Sequence, residues 1–124
     1  MKISVVTAVF NRADTIVDAL ASVQAQSYRP VEHVIQDGQS TDGTLKLIKD
    51  RATDRTQLCS ESDDGIYDAI NKGIKRASGD VIGLMHSDDF FAHDRVLEHI
   101  ADIFKNCEID GVYGDLDYVS AENT

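Results

Sequence analysis

The sequence predicts an α/β fold of three layers, in which helices cover both faces of an open, mostly parallel β-sheet. Short apolar runs alternate along the chain with segments whose apolar residues recur at helical spacing, in the order β-α-β-α-β-α-β-α-β. The 124 residues, 42% of them hydrophobic and 27% charged, suffice for one globular domain with one core. Because crossovers between parallel strands are right-handed, such a chain winds into a parallel sheet with helices on both sides.

The first two strands and the helix between them follow from simple patterns. Residues 3–9 are a near-continuous apolar run, as in a strand that is buried on both faces of a parallel sheet. Apolar residues at helical spacing predict a helix over about residues 14–26, and Pro30 stops it from continuing. Residues 31–36 predict the second strand.

The middle of the chain predicts two helices on either side of a short strand. The polar residues 40–42 offer side chains that cap a helix over about residues 45–52. A third strand is expected near residues 57–60. Isoleucines spaced four apart then predict a helix over residues 66–77, which ends at the Ser-Gly pair that follows.

The last third of the chain predicts two strands around one helix. Residues 81–85 read as a fourth buried strand. Asp94 is expected to cap a helix that carries apolar residues over 96–104. Residues 109–113 predict a fifth strand, which completes the alternating order.

The topology also predicts where a ligand binds. Open parallel sheets bind ligands at the carboxyl ends of their strands, so the polar segments after the first, second and fourth strands should share one rim. These segments are residues 7–12, 37–42 and 86–89. The chain lacks both the glycine-rich dinucleotide fingerprint after its first strand and the phosphate-binding P-loop motif.

Two adjacent carboxylates, Asp88 and Asp89, follow the fourth apolar strand. Like charges side by side repel each other, and a divalent cation gives a reason for the pair, because hard oxygen ligands suit Mg²⁺ or Mn²⁺. A solvated loop with a helix-capping role explains the same two residues without a metal. The histidines do not form a metal site by their spacing, although His86 lies beside the carboxylates.

Other rim residues suit a nucleotide but are also ordinary surface or turn residues. Asp37 can accept hydrogen bonds from ribose hydroxyls or from a base N–H, or can simply serve the turn after the second strand. Small and polar residues over 7–11 leave room for a base or ribose. Arg12 offers a cation for phosphate or is a surface charge. Outside the three rim segments, Asp63 and Asp64 look like the first turn of a helix, which favours acidic residues.

Taken together, five segments resemble the family 2 inverting glycosyltransferases, which have the GT-A fold. The second is similar to that family's Asp-Gly-x-Ser-x-Asp-Gly-Thr signature, and the fourth leads into a DXD-type motif. The segments, which cover essentially the whole chain, are ISVVTAVFN (3–11), QDGQSTDGT (36–44), DDGIYDAINKG (63–73), ASGDVIG followed by SDD (77–83 and 87–89), and YGD (113–115).

The resemblance implies roles for the rim residues. Asp37 would bind the base, with uracil expected, and Asp88 the ribose side. Asp89 would coordinate the Mn²⁺ or Mg²⁺ that bridges the diphosphate. The nucleotide pocket would also be lined by Thr7, Ala8, Asn11 and Asp68. The family more often has Asn or Asp where this chain has His86, which puts the role of that residue in question.

The resemblance also implies the reaction and the division of the chain. A nucleoside-diphosphate sugar would donate its sugar, with inversion, to a hydroxyl of a saccharide or lipid-linked acceptor, as in polysaccharide biosynthesis. Residues 1–124 would be the nucleotide-sugar-binding part, with the acceptor part and the general base beyond Thr124. Asp115 and Asp117 follow the fifth strand but are not assigned as the base. We expect weak nucleotide binding and little or no sugar transfer from this chain alone.

Composition limits the partners and the compartment. Lys and Arg number 12 against 22 Asp and Glu, and the net charge of −10 argues against nucleic acid as a partner. The apolar start is too short for a membrane span, so we expect a cytoplasmic protein, with peripheral contact at the cytoplasmic membrane face left open. Cys59 and Cys107 are expected to be free, buried thiols. An edge strand near the C-terminus leaves a homodimer open.

Two alternative functions share this fold class. A phosphoacceptor signalling domain needs an acidic pair after its first strand and a lysine after its fifth. Here Ala8, Val9 and Phe10 stand at the first position and Gly114 and Asp115 at the second, so the pattern disfavours that class. A non-catalytic nucleotide-binding module remains an alternative that the sequence does not separate from an enzyme fragment.

Overall fold

The computed structural model describes residues 1–106, which form a four-stranded, all-parallel sheet with the strand order β3-β2-β1-β4. The expected fifth strand, Cys107, Asp115 and Asp117 lie outside the described residues. The elements are β1 (Ile3–Val9), α1 (Ile16–Gln24), β2 (Val31–Asp37), α2 (Thr44–Arg51), β3 (Thr56–Ser60), α3 (Ile66–Arg76), β4 (Val81–Leu84) and α4 (Val96–Asn106).

Helices lie on both faces of the sheet, as the alternating pattern predicts. Leu20 of α1, Ile48 of α2 and Leu97 of α4 pack with β1 and β2 in one buried cluster on one face. On the other face α3 lies so close to β1 that a Cβ atom on Gly73 would be 2.7 Å from Val6 Cγ1. The predicted three-layer α/β/α fold with a parallel sheet is therefore confirmed for the described part of the chain.

The central strands β1 and β2 are buried along their whole length, and β2 buries polar side chains as well. Glu32 accepts hydrogen bonds from the Ser4 hydroxyl at 2.9 Å and the Ser78 N–H at 3.0 Å, and pairs with Lys2 at 3.2 Å. Burial acts to raise the pKa of Glu32, but the hydrogen bonds from Ser78, Ser4 and Lys2 outweigh it and hold the pKa at about 2. The carboxylate thus joins β1, β2 and the α3–β4 turn.

The strand β4 is less buried than its apolar sequence predicts. Ile82 is 42% exposed and Leu84 is 59% exposed. Ile82 is paired with Ser4 and Leu84 with Val6, so both side chains point to the face that carries α3. The helix α3 packs over β1 and β2 but leaves this side of β4 uncovered in residues 1–106, which explains the difference.

Of the two predicted helix caps, Asp42 accepts a hydrogen bond at the start of α2 although it is not the N-cap residue, and Asp94 is replaced at the start of α4. Gly43, with a φ of 97°, is the N-cap of α2, while Asp42 accepts a hydrogen bond from the first N–H of that helix at 3.1 Å. At the start of α4 it is the buried Gln26, not Asp94, whose Oε1 accepts a hydrogen bond from Leu97 N at 3.0 Å. Gln26 follows α1 and also donates to the His93 carbonyl at 2.7 Å, which holds its side chain at this helix end.

Two further expectations concern the burial of Cys59 and the presence of a membrane span. Cys59 is free but only half-buried, because β3 is an edge strand of the described sheet. Within residues 1–106, every helix is too short or too polar to cross a membrane.

Candidate functional site

A cleft of about 300 Å³ opens at the carboxyl end of the sheet. This volume lies at the lower end of the range for small-molecule sites. The cleft combines an apolar floor with a few polar groups, and its wall is formed by Ala8, Val9, Phe10, Arg12, Asp63, Gly65, Ile66, Ala69 and Ser87. Segments after β1, β3 and β4 therefore meet at the rim that the parallel topology predicts.

The loop after β1 is held by the loop after β2. Asn11, in the left-handed region with a φ of 50°, donates its N–H to Ser40 Oγ at 2.9 Å and accepts the Thr41 N–H on Oδ1 at 2.8 Å. The Arg12 N–H donates to Thr44 Oγ1 at 2.9 Å. Asn11 is half-buried and does not line the cleft, but these bonds fix the segment that presents the cleft residues on either side of it.

The Asp37 carboxylate already accepts hydrogen bonds from other groups of the protein. It is fully buried and accepts hydrogen bonds from the Ser40 N–H at 3.0 Å, the Ser40 hydroxyl at 2.5 Å and the Ser60 hydroxyl at 2.7 Å. Asp37 is not among the residues that line the cleft. The structure therefore places this residue beneath the rim, where it ties β2 to β3 and to the following loop.

Thr7 and Ala8 point to opposite faces of the sheet, as neighbours in a strand do. Ala8 lines the cleft, whereas Thr7 is fully buried and its Oγ1 lies 2.8 Å from His33 Nε2. Burial lowers the pKa of His33 to about 4, which keeps the imidazole neutral near pH 7. Of the two predicted pocket residues, Ala8 thus contacts the cleft and Thr7 packs in the core.

Asp68 braces the start of α3. Its Oδ2 accepts a hydrogen bond from the Asp64 N–H at 2.9 Å and lies 3.3 Å from Lys72 Nζ. The hydrogen bond from Asp64, followed by that from Lys72, lowers the pKa of Asp68. Lys72 in turn donates to the Ser62 carbonyl at 2.9 Å, so Asp68 organises the β3–α3 loop and does not line the cleft.

Of the segment after β3, the family resemblance predicts only Asp68 as a pocket residue. Asp63, Gly65 and Ile66 line the cleft, although the sequence suggests only a helix start there. Asp63 Oδ1 accepts the Gly65 N–H at 3.0 Å, and Gly65 has a φ of 115° that favours glycine. The parallel sheet could have indicated this position, because the segment after β3 must reach the same rim as the segments after the other strands.

The adjacent carboxylates Asp88 and Asp89 directly follow Ser87 in the chain but are not among the residues that line the cleft. Ser87 is buried and lines the cleft, Asp88 is exposed, Asp89 is half-buried, and the Asp89 N–H donates to the His86 carbonyl at 3.1 Å. No cluster of three or more His, Cys, Asp or Glu side chains suited to a metal occurs in residues 1–106. Proteins often hold Mg²⁺ with one or two carboxylates plus substrate phosphates, so this pair fits a cation that is shared with a diphosphate.

Comparison with known sequences identifies the family. The Glycosyl transferase family 2 model matches residues 4–124. An uncharacterized glycosyltransferase of Mycobacterium tuberculosis is 40% identical over 91 residues, covering 73% of this chain and 35% of that protein. One from a Nostoc species is 30% identical over 126 residues, covering 99% of this chain and 39% of that protein. The chain thus spans little more than a third of the length of these relatives.

Solved structures share the same architecture. S. aureus TarS 1-349 in complex with UDP-GlcNAc superposes with a TM-score of 0.80 and 25% identity, over 97% of this chain and 38% of that one. The mannosyltransferase PcManGT from Pyrobaculum calidifontis, in complex with GDP-Man and Mn²⁺, gives a TM-score of 0.72 at 24% identity, over 83% of this chain and 31% of that one. With a parallel sheet, a cleft at its carboxyl edge and a family match over nearly all its residues, the chain belongs to glycosyl transferase family 2.

Proposed function

We propose that this chain binds a nucleoside-diphosphate sugar, with UDP as the expected nucleotide, as the donor-binding part of a metal-dependent inverting glycosyltransferase. The cleft at the carboxyl edge of the sheet carries this proposal, because it lies where open parallel sheets bind ligands. The fold match to TarS, whose structure contains UDP-GlcNAc, supports a nucleotide sugar as the ligand. The acceptor would be a hydroxyl of a saccharide or a lipid-linked saccharide.

The charges around the cleft support a role for a divalent cation. The chain carries a net charge of −10, Asp63 lines the cleft, and Asp88 and Asp89 directly follow the cleft residue Ser87 in the chain. These carboxylates would repel a diphosphate that has no bound cation. Among the described residues that line the cleft, Arg12 alone carries a positive charge to oppose that repulsion. Mn²⁺ or Mg²⁺ at Asp89 would offset that repulsion and act as a Lewis acid on the leaving nucleoside diphosphate.

The remaining predicted residues would mainly shape the cleft and hold the loops around it. Ala8 leaves space beside the ligand, and the exposed Asp88 would accept a hydrogen bond from a ribose hydroxyl. Asn11, Asp37 and Asp68 would contribute by holding the loops that form the cleft, through the hydrogen bonds described above. The general base is expected outside the described residues, so we propose that this chain binds the donor and transfers sugar poorly or not at all.

Titration calorimetry with UDP, GDP and dTDP, each with and without Mn²⁺, tests the proposal. We expect metal-dependent binding that favours UDP and is weakened at least tenfold in Asp89→Ala, because the variant loses the metal ligand. Asp50→Ala removes an exposed charge on α2 from a residue that does not line the cleft, and should bind as the wild type does. Binding that is indifferent to both metal and Asp89 would refute the metal assignment, and no binding of any nucleotide would refute the proposed function.

A further inference from the structure

We propose that Asp63 reads the nucleobase, accepting a hydrogen bond from the ring N–H of its pairing edge. Uracil and thymine carry that hydrogen at N3 and guanine at N1, whereas cytosine and adenine present a bare ring nitrogen there. Asp63 would therefore favour the first three bases over the last two. This inference rests on the proposed function, because it requires a nucleotide in the cleft.

The two carboxylate oxygens of Asp63 have different surroundings. Oδ1 accepts the Gly65 N–H at 3.0 Å and is thereby fixed to the turn before α3. Oδ2 makes no hydrogen bond or ion pair with any residue of the described range 1–106, although Asp63 is half-buried in the cleft wall. A carboxylate binds a cation or accepts hydrogen bonds, and it repels phosphate; with the cation assigned to Asp89, the ligand group that meets Oδ2 would be a hydrogen-bond donor.

A flat aromatic side chain lies next to this free acceptor. A Cβ atom built on Gly38 would be 2.7 Å from Asp63 Oδ2 and 3.5 Å from Phe10 Cδ1, so the oxygen and the ring converge over the Gly38 backbone. Phe10 lines the cleft and is 55% exposed, which leaves ring surface free for contact. A heterocycle that packs on the ring and donates from its edge satisfies both groups at once.

Asp63 suits this role better than Asp37, to which the family resemblance assigns the base. Asp37 is fully buried, and its oxygens already accept hydrogen bonds from Ser40 and Ser60. Because Asp37 is fully buried, a base could reach it only if the groups that cover it moved. Asp63 needs no such rearrangement, and a donor that meets its free oxygen replaces water at that position.

Asparagine at this position reverses the polarity of the free atom while preserving the turn. In Asp63→Asn the amide oxygen can still accept the Gly65 N–H, which places an NH₂ donor where Oδ2 now lies. The opposite amide orientation would set two donors against each other at Gly65. The neighbouring Asp64→Asn is the matched control, because Asp64 is exposed and does not line the cleft.

The test is calorimetric titration of the full chain with UDP, N3-methyl-UDP and CDP in the presence of Mn²⁺. We expect wild-type protein and Asp64→Asn to bind UDP at least tenfold more tightly than either analogue. In Asp63→Asn the preference for UDP over N3-methyl-UDP should vanish. CDP should gain about tenfold relative to UDP, because the amide can donate to the bare N3 of cytosine. If GDP binds more tightly than UDP, N1-methyl-GDP takes the place of N3-methyl-UDP.

The outcomes separate this inference from the function on which it rests. If wild-type protein binds UDP and N3-methyl-UDP equally well, the inference is wrong, and this result needs no variant to fold. Unchanged discrimination in Asp63→Asn, with wild-type circular dichroism, also overturns it while leaving nucleotide binding intact. Only a failure of the wild type to bind any nucleotide would remove the proposed function as well.

Discussion

Replacing Asp37 with asparagine tests whether this carboxylate contacts the nucleotide directly or acts through the loop that it holds. In the structure it accepts three hydrogen bonds, from the N–H and hydroxyl of Ser40 and the hydroxyl of Ser60. Asparagine keeps the shape of the side chain but has one acceptor oxygen and one donor group. At least one of the three donated hydrogen bonds is therefore lost in a fully buried position.

The expected cost follows from that loss. Leaving one buried polar group without a partner costs about 1–3 kcal/mol. Since each kcal/mol lowers the Tm of a domain of this size by roughly 4 °C, the Tm of Asp37→Asn should fall by roughly 4–12 °C. Natural domains are stable by about 5–15 kcal/mol, so we expect the variant to remain folded at low temperature. Its affinity for UDP should then stay within about threefold of the wild-type value.

Thermal unfolding followed by circular dichroism measures the first effect, and calorimetric titration with UDP and Mn²⁺ well below the Tm measures the second. Asp50→Asn, which removes the same charge from an exposed position on α2, should change neither quantity. The opposite pattern, an unchanged Tm with UDP binding at least tenfold weaker, would show that Asp37 contacts the nucleotide directly and that our reasoning is wrong.

Two further predictions concern the dependence of stability on pH. Glu32 has a pKa of about 2 in the fold against 4.5 for the free group, so wild type should lose about 3 kcal/mol of stability relative to Glu32→Gln as the pH falls from 4.5 to 2. Urea unfolding over that range checks this, and a difference that does not vary with pH would contradict it. His33 has a pKa of about 4 against 6.5 for the free group, because burial disfavours its charged form, so about 3 kcal/mol of stability should be lost as the pH falls from 6.5 to 4. An NMR titration that places the midpoint of His33 above pH 6 would disprove the second prediction.

Most of the described fold is predictable from local patterns in the chain. The runs that form β1 and β2 and the helical spacing in α1, α3 and α4 are visible in the sequence, and their boundaries fall within a few residues of the expected ones. The exposure of Ile82 and Leu84 is not predictable in this way. An apolar strand has the same sequence whether or not a helix covers it, and coverage depends on where α3 packs.

The candidate site is likewise only partly predictable from the sequence. The sequence suffices to predict that the segments after β1 and β4 meet at one rim, because the carboxyl ends of parallel strands lie together. Only the tertiary structure shows that Thr7 points away from that rim, since the direction of a strand side chain depends on which face carries the cleft. The same holds for Asp37, whose partner Ser60 lies 23 residues further along the chain.

Asp63 shows most clearly what the fold adds to the pattern. In the sequence it is one acidic residue before a helix, a position that the helix dipole alone explains. Pairing of β3 with β2 brings it over Gly38 and beside Phe10, where one oxygen accepts the Gly65 N–H and the other makes no hydrogen bond within residues 1–106. Local patterns determine which helices and strands form, because hydrophobic periodicity acts over a few residues. The packing of those elements decides which carboxylates the protein occupies itself and which stay free for a ligand.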